Sequence, residues 1–248
     1  MVMDNSWFVD WFNTKYYHIL YKNRDDDEAQ TFIDNLLARL NIKAKSKILD
    51  VACGKGRHSK YLNNKGFNVT GIDLSNQSIK QASEFENDNL SFFEHDMRLP
   101  FRVNYFDTAL NLFTSLGYFE DDDDNFKAIA SISKSIKPEG YFVVDFFNSE
   151  SVIKNLVPFI ETEIDGIKFS VSKKISNGYV IKNIEVNDAG KLFNYSEKVQ
   201  LITLPQFEKY FAKANLTINW IAGDYLLNSF EPEGSSRLII CGQKIMKY

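Results

Sequence analysis

The stretch Ile48-Leu49-Asp50-Val51-Ala52-Cys53-Gly54-Lys55-Gly56-Arg57-His58 constrains the fold more than any other part of the 248-residue chain. Its apolar run, KILDVA from Lys47 to Ala52, reads as a short buried strand, and two closely spaced glycines end it in a turn. Arg57 to Lys65 then reads as a helix closed by Gly66. Without a Cβ, Gly54 and Gly56 let the backbone turn sharply and let a ligand approach it closely. A strand, a glycine turn and a helix in that order begin an open parallel sheet, whose ligands lie beyond the carboxyl ends of the strands.

The rhythm continues downstream. FNVTGI (Phe67–Ile72) is the next strand, and Ser75 caps a helix running to about Glu86. Leu90–His95 and FDTALNLF (Phe106–Phe113) are the third and fourth strands. A helix after Asp121 ends at Lys137-Pro138-Glu139-Gly140, and the nearly all-apolar Tyr141–Phe147 is the fifth strand. The acidic runs Asp25–Glu28 and Asp121–Asp124 each precede an apolar-periodic stretch. They are read as helix starts, where carboxylates meet the positive end of the helix dipole, rather than as metal sites. After Asn148 the pattern alternates. Ile167–Ser176, Tyr179–Asn187 and Lys191–Thr203 read as antiparallel hairpins, with turns at Asn177-Gly178 and Asp188-Ala189-Gly190. Pro205 opens a short helix over Gln206–Ala214, and Thr217–Ala222 and Arg237–Gln243 return as two last strands. The expected organisation is a helical N-terminal arm over residues 1–42, an α/β core over 43–150, an antiparallel insert over 151–204, and completion of the core over 205–248.

The residues around the glycine turn narrow its ligand. A nicotinamide-dinucleotide fingerprint needs a third glycine, and position 59 is Ser; no G-x-x-x-x-G-K-[ST] phosphate loop is present either. Instead Asp50 precedes the glycines, Asp73 ends the second strand 19 residues after Gly54, and Asp96 follows the third. Three carboxylates round a glycine turn suit a cationic amino-acid ligand carrying a ribose better than a pyrophosphate. Taken singly, strand-end aspartates are usually surface turn residues, so the set carries the inference. Cys53 occupies a loop position that needs a small side chain, and His58 reads as a solvated or packing residue on the first turn of its helix. Cys53 and Cys241 make neither a metal knuckle nor a disulfide framework, and no metal is expected.

These residues resemble those of the class I S-adenosylmethionine-dependent methyltransferases. DVACGKG is similar to that family's glycine motif, with Ala52 in place of the first glycine. GIDLS, HDM, FDTALNLFTSLGYF and IKPEGYFVVDF resemble the four motifs that follow, in order and at family spacing. The resemblance implies an α/β, Rossmann-like, doubly wound and mainly parallel seven-stranded sheet with an antiparallel last strand. It implies S-adenosyl-L-methionine as cofactor, with Asp73 accepting from the ribose hydroxyls, Leu74 beside it, Asp96 accepting from the adenine amino group, and the Met97 backbone facing the ring. Gly54 and Gly56, with Ala52, would pass beneath the methionine part, Asp50 would order the loop or reach the cofactor's ammonium through water, and Asn111 and Leu112 would face the sulfonium.

The methyl acceptor is less legible. The fourth strand ends Asn111-Leu112-Phe113-Thr114, without the [DN]-P-P-[YFW] signature of enzymes that methylate nucleic-acid amino groups, and no Pro-Cys pair follows it. A net charge of -4 gives no bulk attraction for nucleic acid or anionic lipid. A small-molecule acceptor is therefore expected; tRNA, rRNA or protein methylation, a non-catalytic cofactor-binding module and a nicotinamide-dependent dehydrogenase are the alternatives. High aromatic content, 15%, includes an arm with Trp7, Phe8, Trp11, Phe12, Tyr16, Tyr17 and Tyr21 at helical spacing. It reads either as a helix packed on the core or as a lid with Tyr16 and Tyr21 reaching inward. The insert would cover the substrate pocket or build a homodimer. No apolar run is long enough to span a membrane and no basic leader opens the chain, so a cytoplasmic protein is expected, and the resemblance implies a bacterial one.

Overall fold

The computed structural model describes residues 11–21 and 26–246, so Trp7 and Phe8 of the arm lie outside the described residues. The main sheet is built from β1 (Lys47–Val51), β2 (Asn68–Asp73), β3 (Leu90–Glu94), β4 (Phe106–Asn111), β5 (Ile136–Phe147), β10 (Leu216–Ala222) and β11 (Arg237–Lys244). Their order across the sheet is β10-β11-β5-β4-β1-β2-β3, and β11 runs antiparallel to both neighbours. Ile48, Leu49 and Val51 of β1 are buried because both faces of the sheet are covered. On one face lie α2 (Asp26–Leu40), α3 (Arg57–Asn64) and α4 (Asn76–Ala82); on the other lie α5 (Asp122–Ser135) and α7 (Leu204–Lys213). Strand order reverses between β1 and β4, and that switch point opens a crevice at the carboxyl ends of both.

A second sheet holds β6 (Phe159–Ile164), β7 (Ile167–Ser176), β8 (Tyr179–Asp188) and β9 (Lys191–Gln200) in sequential antiparallel order. The arm lies on this sheet. In α1 (Lys15–Leu20) the Thr14 side chain caps the helix by accepting the Tyr17 N–H. Trp11 and Tyr16 are buried with Ile167, Phe169, Val171, Ile184 and Val186 of the insert. Glu197, 3% exposed, ties the two together. It accepts from Trp11 Nε1 at 2.7 Å and from the Tyr21 hydroxyl at 2.8 Å, and pairs with Lys182 Nζ at 2.8 Å. Burial alone would raise the Glu197 carboxyl; Lys182, Trp11 and Tyr21 outweigh it and hold the group below its usual range.

Several boundaries differ from the expectation, each for a local reason. The helix begun by Asp121, whose side chain accepts the Asp123 N–H, stops at Ser135 rather than at Lys137–Gly140. Pro138 disfavours helical backbone at Lys137, and β5 begins at Ile136, which is already extended. The fourth strand ends at Asn111 because Phe113 and Thr114 adopt φ of 59° and 61°. β9 ends at Gln200 because Thr203 forms a capping box with Gln206 and starts α7. Two elements had no sequence reading: α6 (Ser149–Lys154) and β6, an edge strand that leaves Phe159 and Ile160 exposed.

Candidate active site

The glycine turn leaves the sheet with Ala52, Gly54 and Gly56 all in the left-handed region, at φ of 60°, 54° and 77°. Cys53 N–H still donates to Ile72 C=O at 3.0 Å, so the turn starts locked to β2. Asp73, at the end of β2, clamps the next residue: its Oδ2 accepts the Gly54 N–H and its Oδ1 the Ser75 N–H, each at 2.8 Å. Burial raises the Asp73 carboxyl, against the pull of the Ser75, Gly54 and Leu74 amides. Behind the turn, Asp50 is 2% exposed and accepts from the Ser59 hydroxyl at 2.5 Å. Burial pushes Asp50 up to about 6, opposed by the Ser59 hydroxyl and helped by the charge on Asp73. At the end of β3, burial would raise Asp96, but Arg98 prevails and holds it low. Arg98 grips Asp96 with Nε and Nη2 and reaches Asp124 with Nη1 at 2.7 Å.

These groups line a cavity of about 460 Å³. Asp50, Ala52, Gly54, Asp73, Leu74, Asp96, Met97 and Leu112 contribute from the strand ends, and the Phe113–Ser115 loop adjoins them. Phe12, Tyr17, His18 and Tyr21 contribute from the arm, and Tyr118 and Phe119 follow the loop. The donor set fits a nucleoside bearing an amino acid: carboxylates for hydroxyl and amino hydrogens, and a Gly54 backbone beside which an added Cβ would meet nothing within 4 Å. Among the described residues, no group of three or more His, Cys, Asp or Glu is placed to hold a metal ion.

Comparison with known proteins follows this geometry. Residues 49–144 match the family model described as a methyltransferase domain. A solved S-adenosylmethionine-dependent methyltransferase from Clostridium acetobutylicum superposes with a TM-score of 0.80 at 21% identity, over 96% of this chain and 99% of that one. Residues 49–144 are thus a methyltransferase domain, set in the fold of solved S-adenosylmethionine-dependent methyltransferases. An amino pentose methyltransferase from Micromonospora echinaspora, solved with S-adenosylmethionine bound, superposes with a TM-score of 0.68 at 18% identity, over 93% of this chain and 97% of its own. In sequence, this chain is 28% identical over 84% of its length to the dTDP-3-amino-3,4,6-trideoxy-alpha-D-glucopyranose N,N-dimethyltransferase of Streptomyces venezuelae, covering 91% of that relative.

Three residues singled out in the sequence do not line this cavity. A Cβ on Gly56 would lie 2.6 Å from Phe92 Cζ and 3.1 Å from Ala82 Cβ, so glycine is demanded there by internal packing rather than by a ligand. Asn111 is fully buried and its Nδ2 donates to Val51 C=O at 3.1 Å, which ties β4 to β1 at the switch point. Tyr16 turns onto the insert, where its hydroxyl donates to Asp188 at 3.0 Å and its ring packs on Phe193. Tyr16 and Tyr21 are five residues apart, about 140° round a helix, so one arm face cannot present both; Tyr17 and Tyr21, at i and i+4, share the cavity side.

Other lining residues were not singled out. Helical spacing points to Tyr17 once Tyr21 is placed; Phe12 lies in the aromatic arm and Lys55, Tyr118 and Phe119 lie inside the quoted motifs, but nothing in the sequence gave them a role, and His18 carries no motif that marks it. Burial, with Lys55 nearby, holds His18 below its usual pKa. Burial and Glu197 push the Tyr118 phenol upward. His58 both packs and lines the cavity, stacked on Phe113 with centroids 4.7 Å apart. Burial raises the Cys53 thiol well above its usual value, which disfavours a nucleophilic thiolate.

Proposed function

We propose that this methyltransferase transfers the methyl group of S-adenosylmethionine to an amine of a small, sugar-like acceptor held between the strand ends and the arm. The observation that carries the reading is the double lining of the cavity, with carboxylates and a glycine turn from the core and Phe12, Tyr17, Tyr21 and Tyr118 opposite them in kind. A space of this size takes small ligands. The likeness to the amino-sugar N,N-dimethyltransferase covers 84% of this chain and so extends well beyond residues 49–144.

In this reading Asp73 accepts from the ribose hydroxyls, Asp96 from the adenine amino group, and the Met97 backbone faces the ring. Gly54 runs beneath the methionine part beside Ala52, Asp50 orders the turn through Ser59, Leu74 walls the ribose, and Leu112 faces the sulfonium. The bound cofactor supplies an electrophilic methyl group. The chain's own task is to align a neutral amine with it and to exclude water. Rings of the arm and of Tyr118 suit the cationic amine that results, because an ammonium is attracted to aromatic faces. We further propose that residues 11–21 of the arm act with the insert, residues 151–204, as one cover over the core made by 43–150 and 205–248, while α2 of the arm packs into that core. The exposed β6 edge, with Val157, Phe159 and Ile160, supports a homodimer through the insert, and a bacterial cytoplasmic location fits the absence, among the described residues, of a helix long and apolar enough to cross a membrane.

Titration calorimetry with S-adenosylmethionine, S-adenosylhomocysteine and NAD tests the cofactor site. Tritium-methyl transfer to a panel of nucleotide-linked amino sugars, free amino acids and tRNA tests the acceptor. Label on an amino sugar is expected; label on tRNA alone would overturn the proposal.

A further inference from the structure

The loop after β4 carries two consecutive non-glycine residues in the left-handed region, Phe113 and Thr114. For a β-branched threonine that conformation is a genuine outlier, and it persists only where the surroundings over-determine it. Here they do, through two residues from distant parts of the chain. Asp145, near the end of β5, is fully buried; its Oδ2 accepts the Phe113 N–H at 2.8 Å and its backbone C=O accepts the Thr114 N–H at 3.0 Å. Arg237, at the start of β11, donates to Asp145 Oδ1 through Nε at 2.7 Å and to Thr114 Oγ1 through Nη2 at 3.0 Å. Tyr225 closes the group, reaching toward Asp145 Oδ2 at 3.5 Å and packing on the Phe113 ring. Every residue from Leu112 to Ser115 lines the cavity, whereas neither Asp145 nor Arg237 does.

We propose that Asp145 and Arg237 are positioning residues that hold the 112–115 loop in its strained form and so set the wall of the methyl-transfer site. The inference rests on the reading of this cavity as the cofactor and acceptor site. A guanidinium is needed rather than a point charge, because one planar fork serves both the carboxylate and the Thr114 hydroxyl.

The test separates loop geometry from ligand binding. Phe113 is stacked on His58, so the His58 ring proton signal in NMR reports the loop without any ligand; the chain has only three histidines, which makes assignment simple. Arg237→Lys should keep the charge pair and a melting temperature near wild type, yet shift the His58 signal and weaken S-adenosylhomocysteine about tenfold. Arg237→Gln should do both more strongly. Thr114→Gly accepts positive φ without strain, so the Arg237→Gln, Thr114→Gly double variant should regain most of the affinity lost in Arg237→Gln. A lower melting temperature with an unmoved His58 signal and unchanged affinity would overturn the positioning role, as would a double variant no better than the single one. If Arg237→Gln does not fold, the Arg237→Lys signal and affinity decide. Failure of the wild-type chain to bind S-adenosylhomocysteine would instead overturn the reading of the cavity.

Discussion

Two glycines two residues apart should fail in different ways when each is replaced by alanine. Both adopt positive φ, which costs an L-residue about 1–2 kcal/mol. At Gly54 nothing lies within 4 Å of an added Cβ, so the stability loss should stop there. At Gly56 the new methyl meets Phe92 at 2.6 Å, and relieving such overpacking costs about 1–3 kcal/mol more. Gly56→Ala should thus lose about 2–5 kcal/mol in all, a large part of a typical stability of about 5–15 kcal/mol. For a chain of this size the melting temperature should fall by about 2–8 °C for Gly54→Ala and about 4–20 °C for Gly56→Ala. Binding should run the other way. The Gly54 methyl projects into ligand space and should weaken S-adenosylhomocysteine at least about tenfold, while folded Gly56→Ala, measured at low temperature, should stay near wild type. Urea denaturation and calorimetry on both variants supply the comparison. A Gly56→Ala protein of wild-type stability that cannot bind the ligand would refute the packing argument.

Asp50 gives a pH dependence. Its folded pKa of about 6 lies above the ordinary 3.8, so the folded chain keeps a proton that the unfolded chain releases; this contribution is complete below about pH 4 and is lost as pH rises through 6. Asp50→Asn should therefore stabilise the ligand-free chain by up to about 3 kcal/mol at pH 7.5 and much less at pH 4.5, and equal effects at both pH values in urea unfolding would refute the assignment. Glu197→Ala strands the Trp11 and Tyr21 donors beside half-buried Lys182 and should cost about 1–3 kcal/mol, raising hydrogen exchange across residues 11–21; unchanged protection there would break the link between arm and insert. Asp73→Ala should weaken S-adenosylmethionine roughly ten- to a hundredfold, and an unchanged dissociation constant in the folded variant would sink the ribose role.

The parallel sheet was legible because its strands are buried on both faces and read as unbroken apolar runs between helical patterns. Asp50, Asp73 and Asp96 were legible for a related reason: each marks the end of a recognisable strand, where such a fold places its ligands. Gly56 was marked for the right property and the wrong neighbour, since sequence shows that a Cβ is excluded but not whether Phe92 or a ligand excludes it. Tyr16 misled because aromatic spacing shows that an arm is amphipathic without showing which sheet it lies on. Asp145 and Arg237 were silent because charged residues that serve a distant loop leave no local period, and Arg98 because a grip on Asp96 two residues away leaves none either. β6 was silent because its apolar residues, Phe159, Ile160 and Ile164, do not alternate with the period of a strand.

The bond between Trp11 and Glu197 spans 186 residues, and this has a consequence for synthesis. The arm leaves the ribosome early but finds its acceptor only after nearly the whole insert has followed. At about 5–20 residues per second the gap is about 10–40 s. During that interval Trp11, Phe12 and the arm tyrosines have no sheet to bury them, while the core strands up to β5 already have one another. The aromatic wall is therefore assembled late on a nascent chain, followed only by the 112–115 loop, which waits for Arg237, and a ribosome that stalls between residues 150 and 197 leaves the glycine turn built beneath an absent cover.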